Sequence, residues 1–255
     1  MPFTLAHPAA ILPLRHVWRL RTAPLILGAV TPDLPYYVPS AVSAHLVHDT
    51  HSLVGSIAVD LPLGLAGLAC AFLLRGPLTV LLPARARWLC LNALAPFRGR
   101  LLEWALAPLA ILVGVWTHLA WDSFTHLDGW AVRRITALSQ TVTIGGYTGE
   151  LCHILQYLSS VIGLAILAVW YSRLRAPAAA RAGEATRRSS AGPALLLVVS
   201  AALLIGGVQA KVVYYHSDGA IYHTLDTLLT RSLAWFAVLY LFAGTVVALD
   251  HRRGA

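Results

Sequence analysis

The sequence predicts an all-α polytopic membrane protein, a helix bundle of about five long transmembrane helices with an N-terminal re-entrant or interfacial helical hairpin. Three observations predict it. Of the 255 residues, 58% are hydrophobic and only 12% are charged, about half the roughly 25% charge of soluble domains. Five apolar runs approach or reach the roughly 20 residues that cross a bilayer core. The arginines collect between those runs, in 75–103, 173–193 and the tail, as they do in cytoplasmic loops.

The elements follow in chain order. Residues 5–20 carry apolar positions at helical spacing and end in Arg15, Arg19 and Arg21; residues 24–31 form a second short apolar run that stops at Pro32-Asp33. Neither is long enough to span, so together they read as a hairpin with its arginines at the tip and His7 and Asp33 at its open end. The long spans are Val54–Leu74, Trp104 to about Trp121, Leu151–Tyr171, Ala194 to about Tyr215 and Ser232–Leu249. Between them, 75–103 reads as an arginine-rich loop, and 128–150 as a polar segment with a flexible Thr143-Ile144-Gly145-Gly146-Tyr147. The Ala/Arg/Gly/Ser-rich stretch 173–193 reads as disordered. The expected domains are therefore 1–171, a metal-site-bearing membrane domain; 172–193, a cytoplasmic disordered linker; and 194–255, a C-terminal two-helix transmembrane hairpin. There is no internal repeat.

Orientation follows from charge. With the arginine-rich loops inside, fifteen arginines lie on the cytoplasmic side and three, Arg133, Arg134 and Arg231, outside. Histidines divide the opposite way: His7, His45, His48, His51, His118, His126, His153, His216 and His223 lie outside, His16 and His251 inside. No charge rule for arginine forces that convergence, which points to a site on the extracytoplasmic face. The scattered arginines form no basic stripe interleaved with aromatics, which argues against nucleic acid. Cys70, Cys90 and Cys152 imply neither a disulfide framework nor a thiolate site. The N-terminus lacks the basic n-region of a signal peptide and is expected to be retained in the fold.

The central candidate is Thr117–His126. It follows the apolar run Trp104–Trp116, so it reads as the last turns of a spanning helix. Residues four apart share a helical face, which makes His118, Asp122 and His126 one polar stripe. His118 and Asp122 can reach one ion; His118 and His126, about 12 Å apart along the axis, cannot. The geometry suggests two ions with Asp122 between them. Upstream, His45, His48 and His51 crowd seven residues just before the first span, with His48 and His51 on one helical face. Asp60, an intramembrane carboxylate, is a functional-site candidate by default, but nine residues from His51 it lies about half a turn out of phase. It reads as a packing or substrate-side residue. Glu150 and His153 open the third span as further candidates. Imidazole and carboxylate without thiolate suit zinc or another divalent ion, and six or more ligands exceed what a closed structural site needs. A multinuclear centre serves hydrolysis. GxSxG, Walker and GxGxxG motifs are absent from the sequence.

Met1–Ala10, Pro32-Asp33-Leu34-Pro35-Tyr36, His51-Ser52, Asp60–Gly64 and Thr117–His126 resemble an uncharacterised bacterial membrane family, domain of unknown function 4184, over most of residues 1–165. That family is distantly similar to membrane-bound metal-dependent hydrolases and, through them, to zinc-dependent phospholipase C and related nucleases, which hold three zinc ions in an all-helical core. The resemblance implies Asp33, His51, His118 and Asp122 as ligands of one ion and His7 with Asp122 as part of another. His126 would hold a third with a later His and Glu. Glu150 and His153 are the nearest counterparts, and their order and spacing depart from the soluble enzymes' motif.

The expected ligands are thus His7, Asp33, His48, His51, His118, Asp122 and His126, with Glu150, His153 and Asp60 as further candidates, for about two ions, zinc by preference. The expected function is hydrolysis of a phosphoester, lipid-linked at headgroup depth, at the outer face of a bacterial inner membrane. Two alternatives stay open: a His/Asp relay transporting protons or divalent cations, and a metal-stabilised scaffold without turnover. A relay requires ionisable residues through the inner half of the bundle, and apart from Asp60 and Lys211 the spans carry almost none.

Overall fold

The computed structural model describes residues 4–14, 20–38, 49–145, 147–174, 184–216 and 221–253. It is nearly all helical. The elements are α1 (Pro8–Ile11), α2 (Thr22–Val30), α3 (Leu53–Leu73), α4 (Arg75–Val80), α5 (Ala84–Leu94), α6 (Leu101–Asp122), a two-stranded hairpin of β1 (Thr141–Ile144) and β2 (Tyr147–Glu150), α7 (Leu151–Arg173), α8 (Glu184–His216) and α9 (Ile221–Arg253). Five of these contain segments long and apolar enough to cross a membrane: Leu53–Leu73, Leu101–Asp122, Leu151–Arg173, Gly192–His216 and Thr227–Asp250. Each coincides with an expected span.

The chain folds as two compact units: Met1–Pro35, Val42–Leu68 and Arg100–Leu174 in one, Tyr36–Ala41, Ala69–Gly99 and Arg175–Ala255 in the other. The first unit carries the candidate site. Its core is the packing of α2 along α6. Arg21, just before α2, pairs with Glu103 in the first turn of α6, with Nε 2.6 Å from Oε2 and Nη2 on Oε1. Glu103 is buried and also complements the α6 dipole at its positive end. Higher up, the backbones touch. A Cβ on Gly28 would overlap the Ile111 carbonyl, and one on Gly114 the Leu25 carbonyl, the close approach that small residues permit between membrane helices. Leu25, Ala29 and Ala110 complete the contact with Ile11 of α1 and Leu20. The hairpin expectation holds for the described parts of 4–31, since α1 packs on α2; residues 15–19 at its tip lie outside the described residues.

In the second unit, α8 and α9 pair, and α4 packs on α9: Tyr240 donates to the Leu78 carbonyl at 2.9 Å, and a Cβ on Gly244 would overlap the Pro77 carbonyl. Here the sequence reading needs correction. Residues 75–103 are not a loop but hold α4 and α5, and 69–99 groups with the C-terminal helices rather than with 1–171. The many arginines masked the apolar Leu78-Thr79-Val80-Leu81-Leu82 run, of which Val80 and Leu81 are buried against Val198 and Tyr240. Likewise α8 begins at Glu184 and takes in the last ten residues of the expected linker 172–193. Ala, Arg and Glu there are good helix formers. Residues 175–183 lie outside the described residues. In the segment read as flexible, Thr143 pairs with Thr148 and Ile144 with Tyr147 in an antiparallel hairpin, with Gly145 at φ 57° at its turn; Gly146 lies outside the described residues.

Because Gly114 has no room for a side chain, Gly114→Val should lower the stability of the detergent-solubilised protein by about 1–3 kcal/mol. The check is the thermal midpoint beside that of Gly207→Val, a position where an added Cβ meets nothing within 4 Å. An unchanged Gly114 variant would mean that α2 and α6 do not cross there.

Candidate metal centre

Three separate segments bring four ligand groups together. The helical turn Thr31–Tyr37 continues α2 and carries Asp33; the turn before α3 carries His51; the last two turns of α6 carry His118 and Asp122. One donor atom from each of these four lies within 4.8 Å of all the others. His118 Nε2 stands 3.1 Å from Asp122 Oδ2 and 3.6 Å from Asp33 Oδ1; His51 Nε2 stands 3.6 Å from Asp122 Oδ2 and 3.7 Å from Asp33 Oδ1. A tetrahedral ion with ligands at about 2.0–2.2 Å spaces its donor atoms by roughly 3.3–3.6 Å, and the four His–carboxylate distances, 3.1–3.7 Å, bracket that spacing.

His118 Nε2 and both Asp122 oxygens are buried and make no hydrogen bond, an arrangement that is costly unless a cation or proton sits among them. The outward-facing nitrogens are fixed. His118 Nδ1 donates to the Ala29 carbonyl at 2.9 Å, which leaves Nε2 as the lone-pair nitrogen. Thr50 donates its hydroxyl proton to the Pro32 carbonyl at 2.9 Å, so its oxygen accepts from His51 Nδ1 at 3.2 Å. Outer partners of this kind fix the tautomer and aim the ring. Ser52 then stops the turn: its hydroxyl donates to the Asp49 carbonyl and accepts the Gly55 amide, both at 2.9 Å, as the N-cap of α3.

His7 joins from the N-terminal segment. Its ring stacks on His118 with centroids 3.8 Å apart, meets Trp121 edge-on at 5.4 Å, and places Nε2 3.6 Å from Asp122 Oδ1. Asp122 therefore turns one oxygen to His118 and His51 and the other to His7. Burial, followed by the neighbouring His118, pushes His7 down to about 4, so it is neutral at ordinary pH. Burial pushes Asp33 up, but His118, His51 and His7 outweigh it and hold the carboxyl below its usual range. Neutral imidazole and ionised carboxylate are the forms that bind metal.

The remaining candidates fall elsewhere. His126, just past the end of α6, is 3.8 Å from Asp122 Oδ2 through Nδ1, which also faces the Asp122 main-chain carbonyl at 3.3 Å; its Nε2 meets the Gln156 amide at 3.3 Å. Burial lowers its pKa. His153 pairs with Glu150 at 3.0 Å, and neither is among the four converging groups. Gln156, not this pair, is the α7 partner of His126. Asp60 is fully buried and in the electrostatic field of His51, His118 and Asp33. The phase count from His51 does not apply, because the chain there is not one α-helix: Ser52 is extended, at φ −120° and ψ 155°, and Ser56–Asp60 is a π-helical turn; Asp60 is not among the four converging groups. His48 lies outside the described residues. Thr50 and the Ala29 carbonyl were not singled out in sequence, since neither residue type signals such a role without the fold around it.

The chain belongs to the family described as Domain of unknown function (DUF4184), whose model matches residues 1–249. The match is wider than the motifs in residues 1–165 that carry the resemblance and takes in most of the last two spans. No curated protein and no solved structure matches the chain.

The Thr50 relay predicts a graded defect. Thr50→Val removes the acceptor for His51 Nδ1 without touching a donor atom of the cluster, and should weaken divalent-metal affinity by about 10–100-fold. Competition with a chromogenic chelator measures it; unchanged affinity would show that His51 is aimed by something else.

Proposed function

We propose that this protein is an integral-membrane, metal-dependent hydrolase of a phosphoester, lipid-linked, with zinc as the resident ion and its site at the outer face of a bacterial cytoplasmic membrane. The observation that carries the reading is the double use of Asp122, whose two oxygens face different histidines 3.6 Å and 3.1 Å away. A carboxylate shared in this way suits two ions, the first held by Asp33, His51, His118 and Asp122, the second by Asp122 and His7. Such ions supply Lewis-acid polarisation of a phosphoryl oxygen and a water of lowered pKa. The protein residues supply the rest: Ala29 and Thr50 orient the rings, His7 and Trp121 wall the centre, and His126 with Gln156 borders it. The hydrolase class is supported by the motifs' similarity to metal-dependent hydrolases, an analogy of site rather than of established family activity. Headgroup depth is supported by His118 and Asp122 closing the last turns of a span. The outer face is supported by the opposed partition of arginine and histidine.

Protein purified without chelators should hold about two divalent ions per chain. His51→Ala, His118→Ala and Asp122→Ala should each lose at least one ion and lower the thermal midpoint. His216→Ala, whose ring bonds the Val212 carbonyl of its own helix, should keep its metal and its stability to within about 1 kcal/mol. Metal-free wild type sinks the reading. Loaded protein that cleaves neither bis(p-nitrophenyl) phosphate nor phospholipid phosphoesters refutes turnover and leaves a metal scaffold.

Sidedness is tested separately. A reporter fused after Arg188 should read as cytoplasmic and one inserted near Asp218 as external. The reverse result at either position removes the outer-face placement.

A further inference from the structure

The connection between α6 and α7 carries a surface that the metal centre does not use. Both helices are long and apolar enough to span, and they meet the connection at Asp122 and Leu151. With both spanning, residues 123–150 lie at one face of the bilayer, next to the headgroups. The first half of this connection is a compact set of turns. The Ala131 and Val132 amides both donate to the Ser123 carbonyl, at 3.1 and 3.2 Å, and the Arg133 amide donates to the Gly129 carbonyl at 3.0 Å. A Cβ on Gly129 would overlap the Ser123 and His126 carbonyls, so the chain folds back directly onto the end of α6. Ala131 and Val132 are its buried anchors.

The side chains left outside are apolar and basic. Phe124, Leu127, Trp130 and Ile135 are each 46–59% exposed, a grouping that marks a membrane or protein contact rather than a water-facing loop. Arg133 and Arg134 are exposed beside them. The Arg134 guanidinium lies 4.1 Å from the centre of the Trp130 ring, and its Nη1 donates to the Trp130 carbonyl at 3.3 Å. That contact holds the charge on the apolar patch. Among the described residues neither arginine has a carboxylate partner: Glu150 pairs with His153 at 3.0 Å, and Asp128 pairs with neither arginine. Residues 123–135 thus set two arginines against one aspartate. Guanidinium forks match phosphate oxygens, and tryptophan favours the headgroup level. Depth and charge together select a lipid over a protein as the occupant.

We infer that residues 124–135 form a binding surface for an anionic phospholipid, with its phosphate on Arg133 and Arg134 and its glycerol and upper acyl carbons against Phe124, Leu127 and Trp130. A zwitterionic lipid is held less well, because its own cation already answers its phosphate. The inference requires α6 and α7 to span; it does not require a metal ion at His118 and Asp122.

The test is native mass spectrometry of the full-length protein in detergent, titrated with palmitoyl-oleoyl phosphatidylglycerol or with phosphatidylcholine of the same chains. Wild type should bind phosphatidylglycerol more tightly. Arg133→Gln combined with Arg134→Gln should weaken it by about 30-fold, the loss expected for two arginines at a membrane surface. The same variant should bind phosphatidylcholine as wild type does, with unchanged helical circular dichroism. Arg98→Gln combined with Arg100→Gln removes equal charge before α6 and should keep the tightly held phosphatidylglycerol. Wild-type affinity in the 133/134 variant overturns the inference. So does a loss shared by both lipids, by the 98/100 control, or by the helical signal, since each makes the effect one of general charge or of fold. If the 133/134 variant instead breaks an oligomer at unchanged lipid affinity, the patch docks a second copy and the lipid assignment falls.

Discussion

The contact on which the rest depends is the crossing of α2 on α6. Two features fix it at different heights: the Arg21–Glu103 pair near both N-termini, and the backbone approach at Gly28 and Gly114. The first sets the register and the second sets the distance. With both in place, the Ala29 carbonyl is delivered to His118 Nδ1, and one turn later Asp33 is delivered to His118 Nε2. One helix end therefore supplies both the group that aims the histidine and a group that the histidine faces. The ion pair is not a surface ornament, because Glu103 is buried and without Arg21 would lose its guanidinium partner.

Burial makes the cluster demanding. Asp33, His118 and Asp122 are each at most 6% exposed, and the inward atoms of His118 and Asp122 make no hydrogen bond. Desolvated carboxylates facing lone-pair nitrogens repel unless positive charge lies between them. Protonated histidine would meet part of that demand. It accounts best for the 3.1 Å between His118 Nε2 and Asp122 Oδ2 and less well for the other three edges, at 3.6–3.7 Å, which exceed a charge-assisted hydrogen bond of about 2.7–2.9 Å. Those three wider edges are compatible with ligands around an ion, which the four groups could hold.

Most of this was legible in sequence, for reasons that differ by residue. The spans were plain because a run such as Trp104–Trp116 has no polar residue to interrupt it. His118 and Asp122 were legible because i,i+4 spacing on a helix needs no tertiary information. Asp33 and His51 became specific through the resemblance of their motifs. Other parts were hidden. The position of Asp60 depends on a π-turn, and periodicity assumes an unbroken α-helix. The roles of Thr50 and Ala29 depend on which carbonyl or ring they meet across 18 and 89 residues of sequence. The helices within 75–103 were hidden because arginine density reads as loop, although arginine is itself a good helix former.

Exposure around the centre also bears on whether it is structural or reactive. Structural zinc sites are closed on all sides, whereas catalytic ones keep an open position. Here the side chains of Asp33 and His118 are sealed, at 1% and 0% exposure, while His51 and His126 keep 24% and 27%. Both of these exposed rings lean on Asp122 Oδ2, at 3.6 and 3.8 Å. The centre thus has a closed wall made by α2 and α6 and an open edge marked by two histidines next to the shared carboxylate. A purely structural site would have no need of this opening. The hydrolase proposed above would need such an edge, because water would be its co-substrate and would have to reach the carboxylate that faces both sets of histidines.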